Sequence, residues 1–314
     1  MAYNINIIST PEADKHWQDL KKENRLLLER KVDINGCCIK LITDQPATMG
    51  TFDENFYHFG ERIRSHGRIL VFDNIGVDGF KVDYDPFSRT AFIWNCDYYG
   101  YVKSQALAVA GDVLEDVHRF YSLHGACLEY NGSGVAIVAP SGTGKTTLGY
   151  GLMRRSHTSL VSDDWFFTRF QHGEAVCMSS EKNVYIREGI EDDFEEFKPI
   201  MQQTHLDSKH RAVINLRNVI GAAKMHDKTT LETFFTLKRD HSDQQLVRSI
   251  GGNEMIDYLL ANDFCNPHLL IKDERKLDLR IKFFEKLFKK VNPYIVNTIS
   301  TPQKTIDAML DVMD

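Results

Sequence analysis

The stretch Ala139-Pro140-Ser141-Gly142-Thr143-Gly144-Lys145-Thr146-Thr147 constrains this 314-residue chain more than any other. It follows the apolar run VAIV and precedes LGYGLM. It therefore reads as a strand, a glycine-rich loop and a helix in succession. Glycines at 142 and 144 open backbone angles closed to other residues and keep side chains out of the way. Successive N–H groups can then turn inward as an anion nest, and the helix N-terminus adds its partial positive charge. In such a loop Lys145 reaches the β- and γ-phosphates of a nucleotide, and the Thr146 hydroxyl can ligate Mg²⁺. Ser141, Gly142, Thr143, Gly144, Lys145, Thr146 and Thr147 are the expected phosphate contacts. The loop departs from G-x-x-x-x-G-K-[ST] at its first position, where Ala139 stands. Alanine costs little there if the backbone is extended.

The rest of the chain suits a folded α/β protein. CCIKLIT (37–43), RILVFD (68–73), GFKVDYD (79–85) and TAFIWNCDYY (90–99) are rich in β-branched and aromatic residues and are separated by turn signals. After a polar helix over 16–31 they predict an antiparallel sheet, an N-terminal α+β module over residues 1–102 that is mainly β. From 103 the pattern SQALAVAGDVLEDVHRF predicts a helix. Strands over 124–130 and 134–140 follow, joined by the hairpin-type turn Asn131-Gly132-Ser133. Beyond the loop, SLVSDDWFF (159–167) and EKNVYI (181–186) read as strands, and 188–198 as a solvated helix or loop. Helices are expected at 253–264, 275–291 and 302–313, with a strand at 294–299. Strands interleaved with helices make an α/β core over 103–314.

Composition narrows the partners. With 38 basic and 44 acidic residues the net charge is −6, which argues against a broad nucleic-acid footprint. No apolar run approaches the ~18 residues that would cross a bilayer, and the N-terminal residues lack the pattern of a secretory leader. Six cysteines without a CxxC pair suit the reduced thiols of a cytoplasmic protein. His205, Asp207, His210 and Cys177 lack metal-site spacing.

Asp163 and Asp164 end the apolar run SLVS, eighteen and nineteen residues after Lys145. Carboxylates at the C-terminal end of a strand lie where open α/β sheets bind ligands. Side chains alternate along a strand, so the two acids should face different ways. One can hold a metal while the other meets an acceptor hydroxyl.

SGTGKTT followed closely by Asp-Asp resembles the phosphoenolpyruvate-carboxykinase-like branch of P-loop enzymes. Residues 122–164 are similar to the core of the HPr kinase/phosphorylases: His124-Gly125, a strand pair, the loop, a helix, and a strand ending in Asp-Asp. The run YIVNTISTPQKTIDAML is similar to the terminal strand and helix of that family, and residues 1–100 lie outside the resemblance. It implies a P-loop kinase core of that type with C-terminal helices. It also implies an ATP- and Mg²⁺-dependent kinase whose acceptor is a serine of a protein or peptide, or a small alcohol. Carried over by position, Lys145 and Thr146 bind phosphate and magnesium. Asp163 is the general base, Asp164 helps hold the metal, and His124 lines the phosphate site. The family's acidic signature residue falls on Glu181 or Glu188, and Glu181 is preferred because it starts a strand-like run. Arg187 and Arg211 are candidates to neutralise the transferring phosphate. The signature is not clean, which leaves the acceptor open. The family forms hexamers, so a homo-oligomer is an expectation of the resemblance alone. The rival readings are carboxykinase-like chemistry, for which the chain is short, phosphorolysis of a phosphoserine, and a module that senses nucleotide without transfer.

Overall fold

The computed structural model describes residues 4–74, 76–204, 206–220 and 222–314, so His205 lies outside the described residues. The chain divides into two compact units: Met1–Phe120 with Pro267–Asp273, and Tyr121–Asn266 with Glu274–Asp314.

The first unit contains β1 (Ile5–Ile7), α1 (Thr10–Lys22), β2 (Leu28–Ile34), β3 (Cys37–Thr43), α2 (Pro46–Asn55), β4 (Tyr57–His58), β5 (Gly67–Phe72), β6 (Lys81–Asp85), β7 (Thr90–Trp94) and α3 (Tyr99–His118). Helix α1 starts earlier than the expected 16–31 because Ser9 and Glu12 form a capping box and a proline sits in the first turn. It stops at Lys22, and residues 28–34 pair as a strand with β3.

The seven strands order as β1-β6-β7-β5-β3-β2-β4. β3, β5 and β7 run parallel to one another, so the expected antiparallel sheet is in fact mixed. Parallel neighbours need a crossover, and between β3 and β5 helix α2 contributes to it. That helix buries only Met49, Phe52 and Asn55, too thin a periodicity to stand out in the sequence. Helix α3 packs on β3, β5 and β7, and the contact boundary accordingly falls at Phe120 rather than at 102.

The second unit holds β8 (Tyr121–Tyr130), β9 (Ser133–Val138), α4 (Lys145–Met153), β10 (Thr158–Ser162), β11 (Trp165–Gln171), β12 (Glu174–Ser179), β13 (Val184–Arg187), α5 (Ile190–Asp193), α6 (Lys198–Gln203), β14 (Arg211–Ile214), α7 (Arg217–Ile220), β15 (Lys228–Lys238), β16 (Val247–Ser249), α8 (Gly252–Ala261), α9 (Glu274–Leu287), β17 (Asn292–Asn297) and α10 (Pro302–Leu310). The main sheet orders β10-β8-β11-β12-β15-β17-β16, with β9 paired to both β8 and β15. β9, β15 and β17 run parallel, so their C-terminal ends share one edge.

A mixed α/β architecture results. Helix α4 buries Leu148, Tyr150, Leu152 and Met153 in a core with Ile137, Phe235, Val296 and Ile306. Each fully buried aliphatic or aromatic side chain of this kind stabilises by about 1.5–3 kcal/mol. The charged segment 188–198 is only partly solvated, since Ile190, Phe194 and Phe197 belong to the same core. The run read as one strand over 159–167 is two: β10 ends at Ser162 and β11 starts at Trp165. The Ser162 hydroxyl donates to the Trp165 carbonyl at 2.6 Å, which closes a turn with the two acids at its tip. Among the described residues no helix is long and apolar enough to cross a membrane.

Candidate functional site

Strand β9 ends at Val138 and α4 begins at Lys145, so the glycine-rich loop joins a central strand to a helix N-terminus. Gly142 has φ +81° and Gly144 has φ +107°. Such left-handed angles are open to glycine and costly for other residues. The Thr143 hydroxyl donates to the Pro140 carbonyl at 2.7 Å. Lys145 folds over the loop, its Nζ donating to the carbonyls of Ala139 at 2.6 Å and Pro140 at 3.2 Å. Burial pulls the Lys145 ammonium below its ordinary pKa, while the Asp164 carboxylate and the Cys265 thiol act to hold it up. A half-buried lysine against two loop carbonyls is a cation whose best partner would be an anion.

Two strands bring His124 to this loop. β8 pairs with β9 so that Gly125 faces Val138. A Cβ on Gly125 would come within 2.4 Å of the Ile137 carbonyl oxygen, so the glycine after His124 lets β8 close on the strand that feeds the loop. On its other side β8 pairs with β11, with His124 opposite Trp165, and the Gly125 amide donates to the Asp164 carbonyl at 2.9 Å. His124 Nε2 then lies 3.3 Å from Asp164 Oδ1, and its Nδ1 lies 2.9 Å from the Cys265 carbonyl oxygen. A carbonyl only accepts, so Nδ1 carries the proton.

The Cys265 carbonyl is delivered by an unusual turn. Asp263, Phe264 and Cys265 take φ of 51°, 52° and 54° in succession. Left-handed backbone costs about 1–2 kcal/mol per non-glycine residue, and such strain clusters where function requires it. This turn runs into Asn266-Pro267, where a proline cannot continue a helix. Its contribution to the site is a main-chain oxygen, which no residue type announces.

The two acids face different surroundings. Asp163 is 7% exposed; its Oδ2 accepts from the Tyr150 hydroxyl at 3.1 Å and from the Tyr185 amide at 2.7 Å. Burial and the neighbouring Asp163 carboxylate push the Tyr150 hydroxyl well above its ordinary pKa, which keeps it a donor. The Asp164 side chain is 28% exposed and faces His124. Tyr150 lies on α4 and Tyr185 on β13, so Asp163 ties the turn to two further elements. Neither tyrosine has a motif of its own; the only sequence signal for Tyr150 is its place on the helix that follows the loop.

Glu181 precedes β13 and its carboxylate accepts from the Tyr185 hydroxyl at 3.3 Å. Glu188 pairs with His210 at 3.0 Å, both well exposed. Arg211 lies over the Tyr185 ring, 5.0 Å from its centroid, and pairs with Asp207 at 3.3 Å. Burial pulls its guanidinium down to about 10. Arg187 is exposed at the end of β13. Among the described residues no group of three His, Cys, Asp or Glu could by itself hold a metal ion. Thr146 and Asp164 nevertheless offer the hard oxygen donors that magnesium takes, and that ion is ordinarily bound by one or two carboxylates together with substrate phosphates. The donor chemistry of these two residues fits a magnesium ion.

No family model matches the chain. Among solved structures it is similar to the HPr(Ser) kinase/phosphatase from Coxiella burnetii, at 14% identity and a TM-score of 0.36, over 61% of this chain and 95% of that one.

Proposed function

We propose that this chain is an ATP- and Mg²⁺-dependent phosphotransferase that moves the γ-phosphoryl group to a hydroxyl acceptor, a serine of a protein or peptide or a small alcohol. The observation that carries the reading is the loop itself. It has two left-handed glycines, a helix starting at Lys145, and the Lys145 ammonium resting on loop carbonyls. His124 and Asp164 stand 3.3 Å apart, with Asp164 close enough to bear on Lys145.

In this reading the amides of 141–146 and the Lys145 ammonium grip the triphosphate. Thr146 and Asp164 would hold magnesium, with Glu181 as the further acid; when bound, the ion neutralises charge on the β- and γ-phosphates. His124 lines the phosphate site, its orientation set by the Cys265 carbonyl and Asp164. Asp163 takes the proton of the acceptor hydroxyl, its Oδ2 held by Tyr150 and Tyr185. Most of the rate then comes from positioning and from charges fixed before the reaction begins.

The test incubates the protein with ATP, Mg²⁺ and a peptide and metabolite extract, and identifies new phosphorylated species by mass. The wild type is expected to yield one, and Asp163→Asn to lose it while still binding nucleotide. If the wild type binds ATP and phosphorylates nothing, the chain is a nucleotide sensor. Pyrophosphate released on adding inorganic phosphate would show phosphorolysis instead.

A further inference from the structure

The C-terminal edge of the parallel strands carries a second cation. β15 ends at Lys238 and β17 at Asn297, and the two residues face each other in register. Just beyond them, Thr298 closes the edge. Its amide donates to the Lys238 carbonyl at 2.8 Å, and its hydroxyl donates to the same oxygen at 3.1 Å. The Thr298 methyl lies 3.9 Å from where a Cβ on Gly144 would sit, so this threonine stands beside the glycine that precedes α4. On its other side the Thr298 hydroxyl accepts from Arg239 Nε at 3.4 Å. Arg239 thus stands one side chain away from the loop, just past the end of β15, the strand parallel to the one that feeds it.

Its charge differs from that of its neighbour. Lys238 is clamped by Asp243 at 2.6 Å and Asp240 at 3.4 Å. Arg239 is exposed, and among the described residues no carboxylate pairs with it. Asn297 holds the following turn in place, accepting from the Asp240 amide and donating to the carbonyls of Asp240 and Asp243. The turn therefore uses its acids on Lys238 and leaves the guanidinium outside. A planar guanidinium offers several donors in a fixed fork that matches phosphate oxygens.

Resting on the nucleotide reading above, we propose that Arg239 is a nucleotide-binding residue that contacts the phosphate chain of the bound nucleoside triphosphate from the Thr298 side of the loop. Lys145 grips from within the loop, and Arg239 adds a charge-assisted contact from just past the end of β15.

The experiment titrates ATP·Mg and adenosine into the wild type, Arg239→Gln and Arg239→Lys by calorimetry, with thermal melting to confirm that each variant is folded. Arg239→Gln is expected to weaken ATP binding by about tenfold, the scale of one lost charge-assisted hydrogen bond. Arg239→Lys should recover part of that loss, and adenosine should bind all three proteins alike. If the wild type binds ATP and Arg239→Gln binds it equally well, the inference fails and the nucleotide reading stands. If Arg239→Gln weakens ATP and adenosine by the same factor, the guanidinium meets the nucleoside rather than the phosphates, and the proposal is overturned. A wild type that binds no ATP sinks both.

Discussion

Two buried carboxylates, one in each unit, are treated in opposite ways. Asp83, on β6 beside the edge strand β1, is 0% exposed and surrounded by donors. Asn6 donates at 2.8 Å, Trp94 at 2.9 Å, Lys81 pairs at 2.9 Å and His16 lies 3.5 Å away. Burial works to raise its pKa, but the hydrogen bonds from Asn6, Lys81 and Trp94 outweigh that and leave it below the ordinary carboxylate value. Its charge is consumed locally. Asp163 in the second unit accepts from Tyr150 and from the Tyr185 amide, while Asp164 beside it faces His124 and bears on the Lys145 cation. The first arrangement ends in itself, as a polar knot in a core does. The second sets a carboxylate beside a histidine and a lysine at the glycine-rich loop, the arrangement on which the proposed function rests.

The sharpest way to break that contrast is to remove Lys145. Lys145→Met should lower the rate of phosphoryl transfer by about a hundredfold or more, through lost electrostatic stabilisation of the moving group, with melting unchanged. A variant that keeps near-wild-type transfer would show that the loop does not carry the chemistry. Asp83→Asn should do the reverse. Its loss is expected as about 2–3 kcal/mol of stability in the first unit, read by hydrogen exchange in β5, β6 and β7, with nucleotide affinity untouched. If nucleotide affinity fell with it, the separation drawn between the two carboxylates would be wrong.

Tyr150→Phe tests the hold on Asp163 alone. Removing one donor to Asp163 should cost about 1 kcal/mol and lower kcat severalfold while the KM for ATP stays put. A change in KM alone would place Tyr150 in nucleotide binding instead. Acid provides the smallest effect. Because the Asp83 pKa is lowered on folding, its contribution is present above the ordinary value of 3.8 and is lost as pH falls through the lower folded value. Hydrogen-exchange protection in the first sheet should therefore decline below about pH 4, and the decline should be shallower in Asp83→Asn.

Local signals placed most of the elements of the second unit and the side chains of the candidate site. The hairpin over 121–138, the loop, α4, α9 and α10 stand close to where their patterns put them, because each is specified by contiguous residues. The strand β15 escaped notice although KTTLETFFTLK alternates polar and apolar residues in its first half; its second half, buried throughout, loses the alternation that marks a strand. The first sheet reads as antiparallel in the sequence because its strands are plain and the helix between two of them is not. At the candidate site, side chains with reactive groups are legible in the sequence, whereas the Cys265 carbonyl, the Tyr185 amide and the approach of Thr298 to Gly144 are not. Main-chain groups and packing distances depend on residues far apart in the chain, and no local pattern encodes them.

The proposed function stands or falls with residues 139–147 as a receptor for a nucleotide's phosphates. Calorimetric titration of ATP·Mg into the wild type and into Lys145→Met tests it directly. Saturable heat near one equivalent in the wild type, with binding weakened by at least about tenfold in the variant, is the predicted result. No heat in the wild type, or the same isotherm from both proteins, would contradict it.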